Sequence, residues 1–140
     1  MAYKETTDDP GFPYFYNVHM SVGRGCPNMV EDVLLVQYLL YKIYQNPGSL
    51  PVPRGQMVVD GICGPVTLNW ILSFQKHTRA LGRPIFPDGR VDPGQEIVGK
   101  HNHQFTIIEL NGSFKKREPF LFANLASAPD APPRLTAVLA

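Results

Sequence analysis

The sequence predicts a mainly α fold in which two apolar helices form the core, preceded by an aromatic arm and followed by a helical extension. Two long apolar segments begin and end at residues typical of helix boundaries. Glycine and proline, 12 and 14 of the 140 residues, fall between these segments without a fixed period. The last part of the chain carries further, shorter helical patterns. Together these observations favour a helical domain with irregular connections.

Composition places the chain among compact globular proteins. Hydrophobic residues make up 44% and charged residues 18%, against about 25% charged in an average protein. The length suits one domain, residues 1–140. Lys and Arg total 13 and Asp and Glu total 12, so the basic excess that phosphate binding normally requires is missing. We therefore expect no nucleic acid partner.

The sequence also carries expectations about compartment and thiols. The first nine residues are polar and acidic, unlike a secretory signal, which predicts cytoplasmic synthesis, with the periplasm or cell wall reached only by a non-Sec route. No apolar run approaches the roughly 20 residues of a membrane span, so we expect a soluble protein without a membrane partner.

The sequence contains two cysteines, Cys26 and Cys63, which lack metal-ligand spacing. They are either free thiols or are joined in a single disulfide bridge.

The N-terminal residues favour an arm that docks through aromatic side chains. Residues 1–13 are polar and suggest a loosely held segment. Four aromatic residues follow closely and are costly to leave in water: Phe12, Tyr14, Phe15 and Tyr16. Residues 16–22 alternate large and polar side chains and stop at Gly23-Arg24-Gly25, which predicts at most one strand of a small sheet.

Two helices are predicted next. Residues 30–44 form the first, with Asn28 as N-cap and Glu31 completing a pair that resembles a capping box. It is apolar nearly all round, which is typical of a helix buried on more than one side. The proline-rich residues 47–56 predict an extended surface loop. The second helix spans Pro65–Ala80, with Pro65 in its first turn and Gly82 as its stop.

The C-terminal part is predicted to be helical. Residues 106–114 suit either two strands around Asn111-Gly112 or a helix, and Lys115-Lys116-Arg117 favours the helix because cations stabilise a helix C-terminus. Pro119 opens a short helix within residues 118–126, and residues 132–139 form another. Residues 94–99 look irregular.

The order of motifs carries a family resemblance. Asp32-Val33-x-x-Val36-Gln37-x-x-Leu40 is followed by Val59-Asp60-Gly61-x-x-Gly64-Pro65-x-Thr67, then by Phe74-Gln75 and Asp88-Gly89-x-Val91. This order resembles the small three-helix peptidoglycan-binding domains of bacterial and phage cell-wall hydrolases, over residues 22–93. The resemblance implies a peptidoglycan-binding-like core at residues 14–99, with a helical extension at residues 100–140 packed on it.

Most of the motif residues are expected to be structural. An Asp-Gly turn needs a side chain that accepts backbone donors, and Gly61 and Gly64 permit backbone angles that a Cβ would penalise. The motif residues to which we assign structural roles are Asp60, Gly61, Gly64, Pro65, Thr67 and Phe74. The shared core is expected to contain Val33, Val36, Leu40, Ile71 and Phe74.

The resemblance also implies a ligand and a contact surface. The wall polymer would lie in a groove near the helix starts and the Asp-Gly turn. The candidate polar contacts there are Arg24, Asn28, Asp60, Gln75 and Arg90.

Several helix positions that are usually polar in such modules are apolar here. They are Leu34, Leu35, Tyr38 and Leu39 on the first helix and Leu68, Trp70 and Leu72 on the second. Exposure would cost roughly 1.5 to 3 kcal/mol each. We therefore expect the arm, the tail or another subunit to cover them.

No catalytic chemistry is apparent. His101-Asn102-His103 lacks further ligands at metal-site spacing, and neither a nucleophile elbow nor carboxylates placed across a cleft can be identified. We expect no enzyme, no cofactor and no metal. The first hypothesis is a non-catalytic peptidoglycan-binding module. The alternative is an interaction protein, such as an adaptor or immunity-like protein of a bacterial secretion or phage system, binding a bacterial protein partner or forming a homo-oligomer.

Overall fold

The computed structural model describes residues 1–95 and 105–140, and it is helix-rich, with 45% helix and 9% strand. The helices are α1 (Val30–Gln45), α2 (Pro65–Ala80), α3 (Thr106–Arg117), α4 (Pro119–Ala123) and α5 (Pro133–Leu139). The strands are β1 (Tyr3–Thr6), β2 (Tyr14–Asn17), β3 (Val22–Gly23) and β4 (Arg90–Val91). The mainly α class is confirmed. No helix in the described ranges has the length and apolar character needed to cross a membrane.

Helix α1 lies at the centre of the core and contacts α2, α3, α5 and β3. Its apolar residues are buried around the whole circumference, including Val33, Leu34, Leu35, Val36, Tyr38, Leu39, Leu40 and Ile43. The expected cover for its unusual apolar face is confirmed, because the helical tail packs against it. On α2, Trp70, Ile71 and Phe74 are buried, while Leu68 and Leu72 are half-buried.

The N-terminal arm is better ordered than the sequence predicts. Strand β1 pairs antiparallel with β2, from Tyr3 opposite Asn17 to Thr6 opposite Tyr14. The prediction of a loosely held segment is therefore wrong for residues 3–6. A local pattern cannot reveal this pairing, because the partner strand lies beyond the intervening Pro10-Gly11 turn. The predicted aromatic docking is confirmed, since the Tyr14 and Tyr16 rings pack against Phe122 of the tail at 5.2 and 5.3 Å.

The single strand predicted over residues 16–22 is also wrong. Its two ends belong to different sheets, because β2 pairs with β1 while Val22 of β3 pairs with Val91 of β4. The strand is interrupted where the fully buried Asp32 accepts the N–H groups of His19 and Met20, both at 3.0 Å. Asp32 thus fixes a bend that strand periodicity does not predict.

The start of α1 differs from the predicted capping box. Met29 precedes the first helical residue, and no side chain caps it. Asn28 instead has a positive φ of 50°, and its amide bonds to both backbone groups of Gly23 and to the carbonyl of Cys26. Its side chain is occupied by the turn before the helix. By contrast, Gly82 follows α2 at φ 93° as predicted and donates to the carbonyl of Arg79 at 2.9 Å.

The tail forms helices, as the pattern favours. The Asn111-Gly112 pair lies within α3 and not in a hairpin turn. Asn111 is fully buried and binds the backbone of Tyr16 in both directions, accepting its N–H at 2.7 Å and donating to its carbonyl at 2.8 Å. Strand β2 is thereby joined to α3. Residues 96–99 of the predicted irregular segment, and His101 and His103, lie outside the described residues.

Candidate functional site

A buried glutamine holds each of the two Asp-Gly turns. Gln37 on α1 has no exposed surface, and its Oε1 accepts the Gly61 N–H at 2.9 Å. Its Nε2 donates to Asp60 Oδ1 at 3.1 Å, the Ile62 carbonyl at 2.9 Å and Thr67 Oγ1 at 3.0 Å. One side chain therefore connects α1, the turn and the first turn of α2.

Gln75 on α2 repeats this arrangement. Its Oε1 accepts the Gly89 N–H at 2.8 Å. Its Nε2 donates to Asp88 Oδ1 at 3.0 Å, the Arg90 carbonyl at 2.9 Å and Thr106 Oγ1 at 3.0 Å. The second Asp-Gly turn is therefore fixed to α2 and to the start of α3 by the same set of bonds.

The turns themselves share one geometry. In each, the aspartate Oδ1 also accepts the N–H two residues later, from Ile62 at 2.9 Å and from Arg90 at 3.0 Å. The glycine between them has a positive φ, 80° at Gly61 and 74° at Gly89, where a side chain would be strained. We refer to these two assemblies as the glutamine locks.

Five of the six motif residues occupy positions that hold the turn or the core. Asp60, Gly61 and Thr67 belong to the first lock, Pro65 opens α2 and Phe74 is buried. Gly64 is the exception: its φ of −95° lies in extended backbone that any residue adopts. The space where its Cβ would lie is open, so nothing in the local structure requires glycine there.

The five candidate ligand contacts occupy different environments. Gln75 is wholly buried in the second lock, and the amide of Asn28 is bonded within the turn before α1. Asp60 is exposed as a residue, although its Oδ1 is used by the first lock. Arg24 and Arg90 are exposed. These two arginines are therefore the candidates with charged groups most available to a ligand.

Arg90 lies on β4, and Arg24 directly follows its partner strand β3. Arg90 pairs with Gly23 across β3 and β4, so Arg24 follows directly after the paired position. The Arg90 guanidinium bonds to Asp92 Oδ1 at 3.1 Å, and this carboxylate raises the pKa of Arg90. The structure brings both arginines to the end of the molecule where α1 begins.

Cys26 and Cys63 are free, half-buried thiols. They come from the loops before α1 and α2. Burial raises the pKa of the Cys63 thiol, and the nearby Cys26 raises it further. The alternative of a bridge is not present in this structure.

A surface pocket that the sequence does not single out lies between the C-terminal half of α1, the loop before α2 and Trp70. Its volume is about 240 Å³. The lining residues are Tyr41, Tyr44, Gln45, Val52, Gly55, Gln56, Met57 and Trp70. None of them carries a formal charge. We call this the aromatic pocket.

Two rings of the aromatic pocket are held by polar contacts. Tyr44 and Trp70 are 5% exposed and meet edge to face, with centroids 5.4 Å apart. Trp70 Nε1 donates to the Arg54 carbonyl at 3.0 Å, and the Tyr44 hydroxyl lies 2.7 Å from His77 Nδ1. The Tyr44 and Trp70 side of the pocket is therefore fixed before any ligand binds.

Burial favours the neutral forms of the Tyr44 and His77 pair. Burial raises the pKa of Tyr44 well above its usual value, and Arg117 offsets only part of that rise. Burial also lowers the pKa of His77. The hydrogen bond between the two side chains orients the Tyr44 ring.

Across residues 1–95 and 105–140, no three His, Cys, Asp or Glu side chains are placed to hold a metal ion. No protein-family model, curated protein or solved structure matches the chain.

Proposed function

We propose that this protein is a non-catalytic peptidoglycan-binding module, with a three-helix core resembling peptidoglycan-binding domains and a helical extension packed on it. The observation that carries the proposal is the pair of glutamine locks. The residues that give the sequence its resemblance to these domains form two copies of one hydrogen-bonded unit. The motif thus acts as a connected framework, which supports the resemblance.

The charged surface suited to a wall polymer is the end where α1 begins. Peptidoglycan carries carboxylates on its peptide stems, and arginine binds carboxylates through paired hydrogen bonds. Arg90 is exposed on β4, and Arg24 is exposed directly after β3, next to the Gly23 that pairs with Arg90. The tail reaches this end of α1 as well, since Arg134 of α5 pairs with Glu31 at 2.7 Å, but it leaves both arginines exposed. We assign the stem contacts to these two arginines.

A pull-down on insoluble sacculi tests the proposal. The wild-type protein should be retained, and Arg24→Ala and Arg90→Ala should each weaken retention roughly tenfold, as expected for loss of one charge-assisted contact. Lys76→Ala is the matched control, because Lys76 is an exposed cation on α2 to which no stem contact is assigned, and it should leave retention unchanged. Absence of wild-type retention would contradict the proposal.

Exposed apolar residues at the same end favour a second candidate, binding of a bacterial protein partner or a second copy. Met20, Met29 and Ile62 are 40%, 46% and 69% exposed. The segments that carry these three residues are adjacent, because the Asn28 N–H bonds to the Ser21 carbonyl and Gly61 lies against Val30. If this second candidate is correct, the wild-type protein should form dimers in light scattering and should not be retained on sacculi. Ile62→Ser should abolish dimer formation.

A further inference from the structure

We propose that Cys26 and Cys63 form a reversible disulfide site, which closes when the protein meets a low-molecular-weight disulfide such as oxidised glutathione. Both thiols are free in this structure, which therefore represents the reduced state. The site does not depend on the proposed function. Three properties of the pair support it: a shared position at the Gly23 turn, chain segments that are held in place, and access for a small oxidant.

Both cysteines contact the same residue of β3. The Cys26 N–H donates to the Gly23 carbonyl at 3.2 Å, and the Cys26 thiol lies 3.7 Å from the Arg24 carbonyl within the same turn. The Cys63 thiol is within hydrogen-bonding reach of the Gly23 backbone, and Cys26 is near enough to raise the pKa of Cys63. The fold thus brings two cysteines from distant parts of the sequence to one turn.

The segments that carry the two thiols are held by side-chain amides. The Asn28 amide donates to the Cys26 carbonyl at 3.1 Å, which fixes the turn before α1. The Gln37 amide donates to the Ile62 carbonyl at 2.9 Å, which fixes the chain next to Cys63. Joining two groups that are already held together costs less conformational entropy than closing a loop in a free chain. The folded protein should therefore form the bridge more readily than the unfolded chain.

A small reagent can reach the pair. Both cysteines are half-buried, and the neighbouring Gly25 has open space where a side chain would lie. Accessible disulfides are typically the labile, reversible ones, whereas structural disulfides resist reduction. Within residues 1–95 and 105–140, no third His, Cys, Asp or Glu completes a metal site with the two thiols. Exchange with a small disulfide is therefore the reaction that this pair supports best.

The reaction is thiol–disulfide exchange in two steps. The thiolate of one cysteine attacks a sulfur of oxidised glutathione, forms a mixed disulfide and releases one glutathione thiolate. The thiolate of the other cysteine attacks the protein sulfur of this mixed disulfide, forms the bond between Cys26 and Cys63 and releases the second glutathione thiolate. The two protein thiols lose two electrons and two protons in total, and oxidised glutathione takes them up to become two molecules of reduced glutathione.

Titration of the reduced protein with mixtures of reduced and oxidised glutathione tests the site. Intact mass after alkylation should show the loss of both alkylation sites and of two hydrogen atoms, and a peptide map should contain Cys26 joined to Cys63. Half-oxidation of the chain unfolded in urea should require a mixture at least about tenfold more oxidising than half-oxidation of the folded protein. The bridged protein should unfold at a temperature about 5 to 10 °C higher, because the bridge restricts the unfolded chain.

Cys26→Ser and Cys63→Ser are matched controls, since each variant leaves one half-buried thiol. Each should stop at a mixed disulfide with one glutathione, and dithiothreitol should return the wild type and both variants to free thiols. The proposal is overturned if the wild type also stops at mixed disulfides, if the cross-link joins two chains, or if folded and unfolded chains oxidise in the same mixture. This last comparison uses only the wild type, so it decides the proposal even if a serine variant does not fold. A bridged protein that unfolds at a lower temperature than the reduced protein also overturns it.

Discussion

Four buried side-chain amides connect segments that are distant in sequence. Asn17, Gln37, Gln75 and Asn111 have no exposed surface, and each bonds to backbone groups of another segment. Asn17, for example, accepts the Gly94 N–H at 2.9 Å and donates to the Gly94 carbonyl at 3.0 Å. An amide is suited to this task because one group offers both donors and an acceptor. The irregular connections are thereby held without regular sheet structure.

Replacing a lock residue should therefore be costly. We expect Gln75→Leu to lower the free energy of unfolding by about 1 to 3 kcal/mol, since the Gly89 N–H and Thr106 hydroxyl lose a partner. Urea denaturation measures the change. The matched control, Gln56→Leu, alters an exposed glutamine and should cost less than about 0.5 kcal/mol. Equal losses in the two variants would show that the lock does not stabilise the fold.

Labelling with a thiol reagent distinguishes two free cysteines from a disulfide bridge. Native protein treated with a thiol reagent should gain two labels by intact mass, because both cysteines are half-buried and free. The thiolate is the reactive form, and burial raises the pKa of Cys63. In a Cys26→Ser variant, the labelling rate of Cys63 should therefore rise with pH through a midpoint above the usual value of about 8.5. Failure to label without reductant would indicate a bridge.

At the level of elements, the two Asp-Gly turns allow the cost of backbone strain to be measured apart from the cost of side-chain crowding. A Cβ on Gly61 would lie 2.8 Å from Val30 Cγ1, whereas a Cβ on Gly89 would meet nothing within 4 Å. Both glycines have a positive φ. Gly89→Ala should cost about 1 to 2 kcal/mol from strain alone. Gly61→Ala should cost more, because Val30 is β-branched and stiff.

Thermal unfolding of both variants measures this difference. A third variant, Gly61→Ala combined with Val30→Ala, removes the crowded methyl group and should bring the cost of the alanine close to that of Gly89→Ala. If Gly89→Ala is the more damaging of the two single variants, the proposed balance between strain and crowding is incorrect.

Elements with a periodic pattern and boundary residues of their own were predictable, and features that depend on a tertiary or turn partner were not. Helix α2 begins at Pro65 and ends at Ala80 as the pattern predicts, and α3 is helical because its apolar spacing and terminal cations agree. Strand β1 exists only through its partner β2. The apparent N-cap Asn28 fails for a similar reason, since its amide is used by the Gly23 turn.

The candidate site shows the same division. The sequence identifies Asp60 and Gln75 as important, but both belong to the glutamine locks, and a motif alone does not distinguish a residue that supports a turn from one that contacts a ligand. The aromatic pocket has no motif because its walls come from α1, a loop and α2. Tyr41 and Tyr44, one helical turn apart, are the only local signal, and core packing explains the same spacing.

For the whole molecule, charged contacts on α1 hold the end of the tail in place. Lys42 pairs with Asp130, and the Tyr38 hydroxyl donates to the same carboxylate at 2.7 Å. Glu31 pairs with Arg134 of α5 at 2.7 Å. Lys42 and Glu31 are themselves nearly buried, with 10% and 11% of the side chain exposed. An unpaired charge at such a position is costly. The tail therefore pairs the buried charges of α1 as well as covering its apolar surface.

This arrangement predicts a specific acid sensitivity. Partial burial raises the pKa of Asp130, but hydrogen bonds from Lys42 and Tyr38 outweigh this effect and leave the pKa below its ordinary value of 3.8. A carboxyl group whose folded pKa is lowered stabilises the fold above its unfolded pKa, and that stabilisation is lost as the pH falls through the folded value. The Asp130 contribution should therefore be complete near pH 5 and above and disappear below its folded pKa.

Asp130→Asn isolates this contribution. At pH 7 it should lower the free energy of unfolding by about 1 kcal/mol, a modest value because the carboxylate is partly exposed. The difference from wild type should shrink as the pH falls below the ordinary value of 3.8 and vanish below the folded pKa, where Asp130 is protonated in both the folded and the unfolded state. Asp92→Asn is the control, because its pair with Arg90 is half-exposed on both sides and should contribute less. A difference between Asp130→Asn and wild type that stays constant from pH 7 to about pH 2.5 would show that the ion pair does not hold the tail on α1.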